Sequence, residues 1–195
     1  MLVLTVALAA GLLAGYALGG RLRNLETLDL RWPWLVIVAL GVQLVIFSPL
    51  GRPLGEGAIV ALHLASYALL IAFAAVNHRD LGILIAGVGI VLNVAVIAAN
   101  GGYMPATARA LQFAGHLTGA ETHNNSALAG EGVRFLFLGD VMAVPGWVPV
   151  VANVFSVGDV LIAAGVAVML AAAMRGPADT RGATVRTTGG QTGTL

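Results

Sequence analysis

The chain contains no cysteine and no lysine. Without cysteine there are no disulfides, no thiolate metal sites and no cysteine nucleophile. Charge is scarce as well. Only 10% of the residues are Asp, Glu, Lys or Arg, against about 25% in a soluble domain. The net charge of +1 gives no electrostatic case for nucleic acid. All ten basic residues are arginine, which, beside so much alanine and glycine, reads as a GC-rich coding signature rather than as chemistry. No P-loop, G-x-S-x-G, H-E-x-x-H or haem pattern occurs. His116, Glu121 and His123 carry zinc-type donors, but at a spacing that matches no known ligand motif. The sequence therefore predicts no metal and no cofactor.

What the chain has instead is apolar length. Of its 195 residues 58% are hydrophobic, and the mean hydropathy is +0.92. The pattern predicts an all-α membrane protein, a single transmembrane domain over 1–174 with about five spans. These are placed at 2–19, 34–48, 57–76, 81–99 and 157–174. A run of about 18 residues suffices for a ~30 Å hydrocarbon core. No positive region precedes Leu2, so the first run reads as a span and not as a cleaved signal peptide. Within it Ala7, Gly11, Gly15 and Gly19 recur every fourth residue. Such a stripe lets another helix approach closely, either inside the same bundle or across a homodimer seam. Trp32 and Trp34 stand where an aromatic belt would, and Pro33 suits a first helical turn. Residues 175–195, rich in Thr, Gly and Arg, are read as a disordered tail.

Arginine placement sets the orientation. With the N-terminus outside and the C-terminus inside, Arg21, Arg23, Arg31, Arg79, Arg175, Arg181 and Arg186 lie inside. Arg52, Arg109 and Arg134 lie outside. The long loop, 100–156, then faces outward. Pro105 could open an interfacial helix through about Leu117, with Leu111, Ala114 and Leu117 on one face. Val133 to Phe155 is apolar but broken by Gly139, Asp140, Pro145, Gly146 and Pro149. A re-entrant or interface-lying segment fits it best.

Each middle span carries one polar residue: Gln43, His63 and Asn93. On this topology all three lie roughly 8–9 Å below the outer surface, at ~1.5 Å per residue. Gly82, Ala86, Gly89 and Asn93 form one small-residue stripe, so Asn93 points into protein. His63, Ser66 and Tyr67 share a face at i, i+3 and i+4. Ser156-Val157-Gly158-Asp159 fits a capping box at the start of the last span. An acid there is also a functional candidate, and Asn153 falls on the same face if the helix begins earlier. Asp140, in an apolar setting, needs a partner if buried; Arg134 is the nearest candidate, for it or for Asp159. The candidate ligand-binding set is therefore Gln43, His63, Asn93, Asn100, Asp140, Asn153, Ser156 and Asp159, lining an outward-opening pocket under the long loop. A rival reading has these side chains only hydrogen-bond helix to helix, at about 0.6 kcal/mol each.

The runs Asn100-Gly101-Gly102-Tyr103-Met104-Pro105, Leu138-Gly139-Asp140, Pro145 and Asn153-Val154-Phe155-Ser156-Val157-Gly158-Asp159-Val160-Leu161 carry a resemblance. Together they resemble a family of bacterial integral membrane proteins known only as a domain of unknown function. The resemblance covers most of residues 1–174 and excludes the tail. It implies a bacterial cytoplasmic membrane protein and supplies no catalytic residues. The expected function is outer-face binding or transport of a small molecule or lipid. The alternatives are an accessory or assembly subunit of a larger membrane complex, with the Ala7-Gly11-Gly15-Gly19 face open to a partner, and an outer-leaflet enzyme using His63 or Asp159 as acid or base. The absence of an acid near the midplane counts against proton-coupled transport.

Overall fold

The computed structural model describes residues 2–115, 126–130, 132–147 and 153–176. Helices dominate it: α1 (Leu2–Ala17), α2 (Trp34–Ile46), α3 (Glu56–Val76), α4 (Leu81–Ala99), the short α5 (Ala108–Phe113) and α6 (Val157–Arg175). Three-residue strands, β1 (Met104–Ala106), β2 (Ser126–Leu128), β3 (Met142–Val144) and β4 (Asn153–Phe155), occupy the segment between α4 and α6. Single 3-10 turns lie at Leu22–Thr27, Pro49–Gly51 and Leu136–Leu138.

Helices α3, α4 and α6 are long and apolar enough to cross a membrane; among the described residues α1 and α2 are apolar but shorter. The 21 residues of α3 extend about 31 Å, close to a hydrocarbon core. Large apolar side chains point away from neighbouring helices: Ile37 is 71% exposed and Leu44 and Leu81 63% each. Water would penalise so much open apolar surface, and lipid does not. The chain is an integral membrane protein.

The five long helices pack in the spatial order α1, α6, α4, α3, α2. Gly11 faces Ala167 and Gly15 faces Met174, so α1 runs parallel to α6. Gly82 faces Gly165 and Gly89 faces Gly158, so α4 and α6 are antiparallel. Phe47 against His63 and Gln43 against Ser66 make α2 and α3 antiparallel. Gly87 against Ala74, with Asn93 against Tyr67, does the same for α3 and α4. Sequence neighbours α1 and α2 are thus at opposite ends of the row. Of the small-residue stripe on α1, Gly11 and Gly15 meet α6 and Ala7 is buried, while Gly19 takes a turn at φ +79°. The α4–α6 seam shows why glycine is needed: a Cβ at Gly82 or Gly165 would strike the other helix's backbone.

The loop segment forms a layer on the end of the row that holds the C-terminus of α4 and the N-terminus of α6. β1 and β2 pair in parallel, Met104 opposite Ser126, and β3 and β4 pair antiparallel, Met142 opposite Phe155. A parallel bridge links Ala106 of β1 to Asp140, two residues before β3. The helix expected from Pro105 begins later. Pro105 lies in β1, where its carbonyl accepts from the Asp140 N–H at 2.9 Å. Thr107 is the cap, its side chain accepting from the Ala110 N–H at 3.2 Å. Ala110, Leu111 and Ala114 are buried, packed with Ala106 and Val154. Leu117, the zinc-type trio His116, Glu121 and His123, Pro149, and the tail from residue 177 lie outside the described residues. A second cluster, Tyr67, Ile90, Val96, Ile97 and Met104 with Leu138 against it, ties the layer to α3 and α4.

Candidate functional site

The first turn of α6 is built by its own sequence. Ser156 Oγ accepts from the Asp159 N–H, and Asp159 Oδ2 accepts from the Ser156 N–H, both at 3.0 Å. This is the capping box that the S-x-x-D spacing predicts. It places a carboxylate at the positive end of the helix dipole. Asn93 of α4 then closes a ring. Its Nδ2 donates to Asp159 Oδ1 at 2.8 Å, and its Oδ1 accepts from Ser156 Oγ at 2.9 Å. The approach is possible because residue 158 is glycine: a Cβ there would collide with the Asn93 side chain. Asn93 is 2% and Ser156 0% exposed. A ring of buried partners is what such burial demands.

Tyr67 of α3 joins this ring to the rest. Its phenol meets the Asn93 side chain and lies within electrostatic reach of the Asp159 and Asp140 carboxylates. The Tyr67 ring sits 5.2 Å from that of His63, and Phe47 meets His63 edge-on at 4.9 Å. His63 Nδ1 faces the Gly102 carbonyl at 3.3 Å. Gln43 Nε2 donates to Ser66 Oγ at 2.9 Å, and Ser66 Oγ donates to the His63 carbonyl at 2.6 Å. Gln43, His63 and Asn93 thus belong to one chain of contacts, linked through Ser66 and Tyr67. Neither linker stood in the candidate set, although their i, i+3, i+4 spacing from His63 was the signal for both.

The other candidates are placed separately. Asp140 is 4% exposed, and its backbone bridges Pro105 and Thr107. Asn153 lies in β4 opposite Val144. Asn100 caps α4 and grips the backbone of Arg134, accepting from its N–H and donating to its carbonyl at 2.9 Å each. Asp159 Oδ1 accepts from Asn93 and its Oδ2 from the Ser156 N–H. Among the described residues no group of three or more His, Asp and Glu side chains is arranged to hold a metal ion.

Clefts open on the loop layer among the described residues. One, of about 480 Å³, is lined by Arg109, Gln112, Phe113, Gly115, Pro145, Gly146 and Trp147. It brings α5 against the turn that follows β3, and Trp147 on its wall is 82% exposed. Another, of about 290 Å³, is lined by Ala99, Asn100, Tyr103, Pro105, Leu128, Gly132 and Val133. Of the candidate set only Asn100 borders either cleft. Nothing in the sequence joined Arg109 to Trp147, because the fold alone brings α5 to that turn.

No curated protein and no solved structure matches the chain. A family model does, over residues 27–171, from just before α2 to near the end of α6. The chain belongs to DUF5317, a family of unknown function.

Proposed function

We propose that this is a five-span protein of a cytoplasmic membrane, N-terminus outside, whose outer loop layer binds a small amphiphile or lipid. The observation that carries the reading is the 480 Å³ cleft. Its volume falls in the range of small-molecule sites. One cation, Arg109, stands beside two aromatic walls, Phe113 and Trp147, a lining suited to a polar head and an apolar body. The parallel run of α1 and α6 supports an odd number of spans, and the arginine distribution supports the orientation. In this reading Gln43, His63, Asn93, Asn100, Asp140, Asn153, Ser156 and Asp159 form the polar floor that holds the layer in place, and binding happens above them.

The assembly-subunit alternative has less to stand on, because Gly11 and Gly15 already face α6. Native mass spectrometry of the protein purified in mild detergent tests the proposal. A retained small molecule or lipid is expected, and Arg109→Ala with Trp147→Ala should cut its occupancy several-fold. Retention unchanged in that double variant, or no retained species from any lipid mixture, would overturn it.

A further inference from the structure

One small arrangement occurs twice, at opposite ends of α4 along its axis. At the end of α3, Asn77 is the C-cap. Its Nδ2 donates to the Phe73 carbonyl four residues back at 2.9 Å and to the Arg31 carbonyl at 2.8 Å. Its Oδ1 accepts from the Arg31 N–H at 2.8 Å. At the end of α4, Asn100 is the C-cap. Its Nδ2 donates to the Val96 carbonyl four residues back at 2.8 Å and to the Arg134 carbonyl at 2.9 Å. Its Oδ1 accepts from the Arg134 N–H at 2.9 Å. In both places the side-chain amide imitates a neighbouring strand and pins one arginine by its backbone, which leaves the guanidinium free to reach outward.

The residue after each arginine repeats the likeness. Trp32 has φ 54° and Phe135 φ 55°, the two non-glycine residues with positive φ among those described. For bulky side chains this left-handed conformation is rare and costs about 1–3 kcal/mol. Both side chains are more than half exposed, Trp32 at 56% and Phe135 at 52%. A strained backbone is therefore held, twice, at an exposed aromatic residue that directly follows an arginine. The two sites are separated by α4, whose 19 residues measure about 28 Å, close to the ~30 Å thickness of a hydrocarbon core.

We propose that Arg31–Trp32 and Arg134–Phe135 are paired anchors in the two interfaces of the bilayer, with Asn77 and Asn100 as their positioning residues. The ring would lie at the level where acyl chains meet the headgroups, and the guanidinium would extend to lipid phosphate. The Phe135 turn is suited to such a place. Two of its backbone N–H groups are used internally, Leu138 to Phe135 and Gly139 to Leu136 at 2.9 Å each, which lowers the cost of placing the turn near lipid. Leu138 packs on the Tyr67–Ile90 cluster, which sets the turn against the apolar part of the row.

Depth measurement by fluorescence tests this. One variant keeps Trp32 alone, through Trp34→Phe and Trp147→Phe. The other carries Phe135→Trp with all three native tryptophans changed to phenylalanine. Both are reconstituted into phosphatidylcholine vesicles brominated at defined acyl positions. Each tryptophan should be quenched most by shallow bromines, at similar depths, about 15 Å from the bilayer centre. Adding Asn77→Ala or Asn100→Ala should release the corresponding ring toward water, with a red-shifted emission. A ring quenched by aqueous iodide and untouched by bromolipid, or one at the bilayer centre, would overturn the proposal. Should Phe135→Trp fail to fold, Phe137→Cys labelled with a nitroxide gives the same reading, since the chain has no native cysteine. Greater access to an aqueous relaxant than to oxygen there would count against the anchor.

Discussion

The two halves of α6 share glycine packing against their neighbours and differ in what is added to it. Its C-terminal half is seamed by small residues. Gly165 meets the backbone of Gly82 and Ala86, Ala167 meets Gly11, and Met174 covers Gly15 and Gly20. Its N-terminal half also meets glycine, Gly158 against Gly89, and adds polar side chains, the Asn93–Ser156–Asp159 ring beside Tyr67. In lipid no hydrophobic drive pushes helices together, so close packing and hydrogen bonds do the work. Here both act toward the N-terminal end of the helix, and close packing predominates toward the other. The difference teaches where the structure can give. A glycine seam against backbone has no slack, whereas a hydrogen-bonded ring can lose one member and relax.

The strongest break is therefore expected in the seam. Gly165→Val would drive a branched side chain into the Gly82 carbonyl and the Ala86 N–H. Overpacking costs about 1–3 kcal/mol where neighbours can shift, and backbone on the far side cannot. Loss of the monodisperse folded protein in detergent is expected; wild-type thermal stability in that variant would refute the seam. Asp159→Ala comes next. It removes half of the capping box and leaves the Asn93 donor without its carboxylate, a loss of about 2 kcal/mol, readable as a lowered midpoint in circular dichroism melts.

A double-mutant cycle then sharpens the comparison. Asn93→Ala and Asp159→Ala together should destabilise less than the sum of the two alone, by about 1 kcal/mol. Strict additivity would mean that the ring is not a unit. Smallest is Gln43→Leu, which removes the bond to Ser66 at the half-exposed edge of the network. A change of only about 0.6 kcal/mol is expected, and a loss as large as that of Asp159→Ala would move the centre of the network toward α2.

Much of this was legible in the residues. The α4 span matches its apolar run from Leu81 to Ala99, with Asp80 accepting from the Ile83 N–H at 2.9 Å as its cap. The S-x-x-D pattern gave the start of α6, because capping is a contact between residues three apart. The stripe through Gly82, Gly89 and Asn93 pointed to the packed face of α4. The short strands were not legible. Three residues such as Met104–Ala106 carry no usable period, and what makes them strands is a partner far along the chain. The same holds for Tyr67 as the junction of the polar network, and for the likeness between Asn77 and Asn100, whose arginine partners stand 46 residues before and 34 residues after them.

The sequence alone determined the medium and the elements: too little charge for water, apolar runs of membrane length, caps where helices begin, and small residues where helices must touch. Those properties are local, written in composition and in spacings of three and four. Tertiary structure decided which helix lies beside which, that the first pairs with the last, and that Arg109 shares a cleft with Trp147. These are decided by surfaces fitting across long stretches of chain. Small-residue faces and amides of this kind could each fit several partners, and only the packed whole selects one.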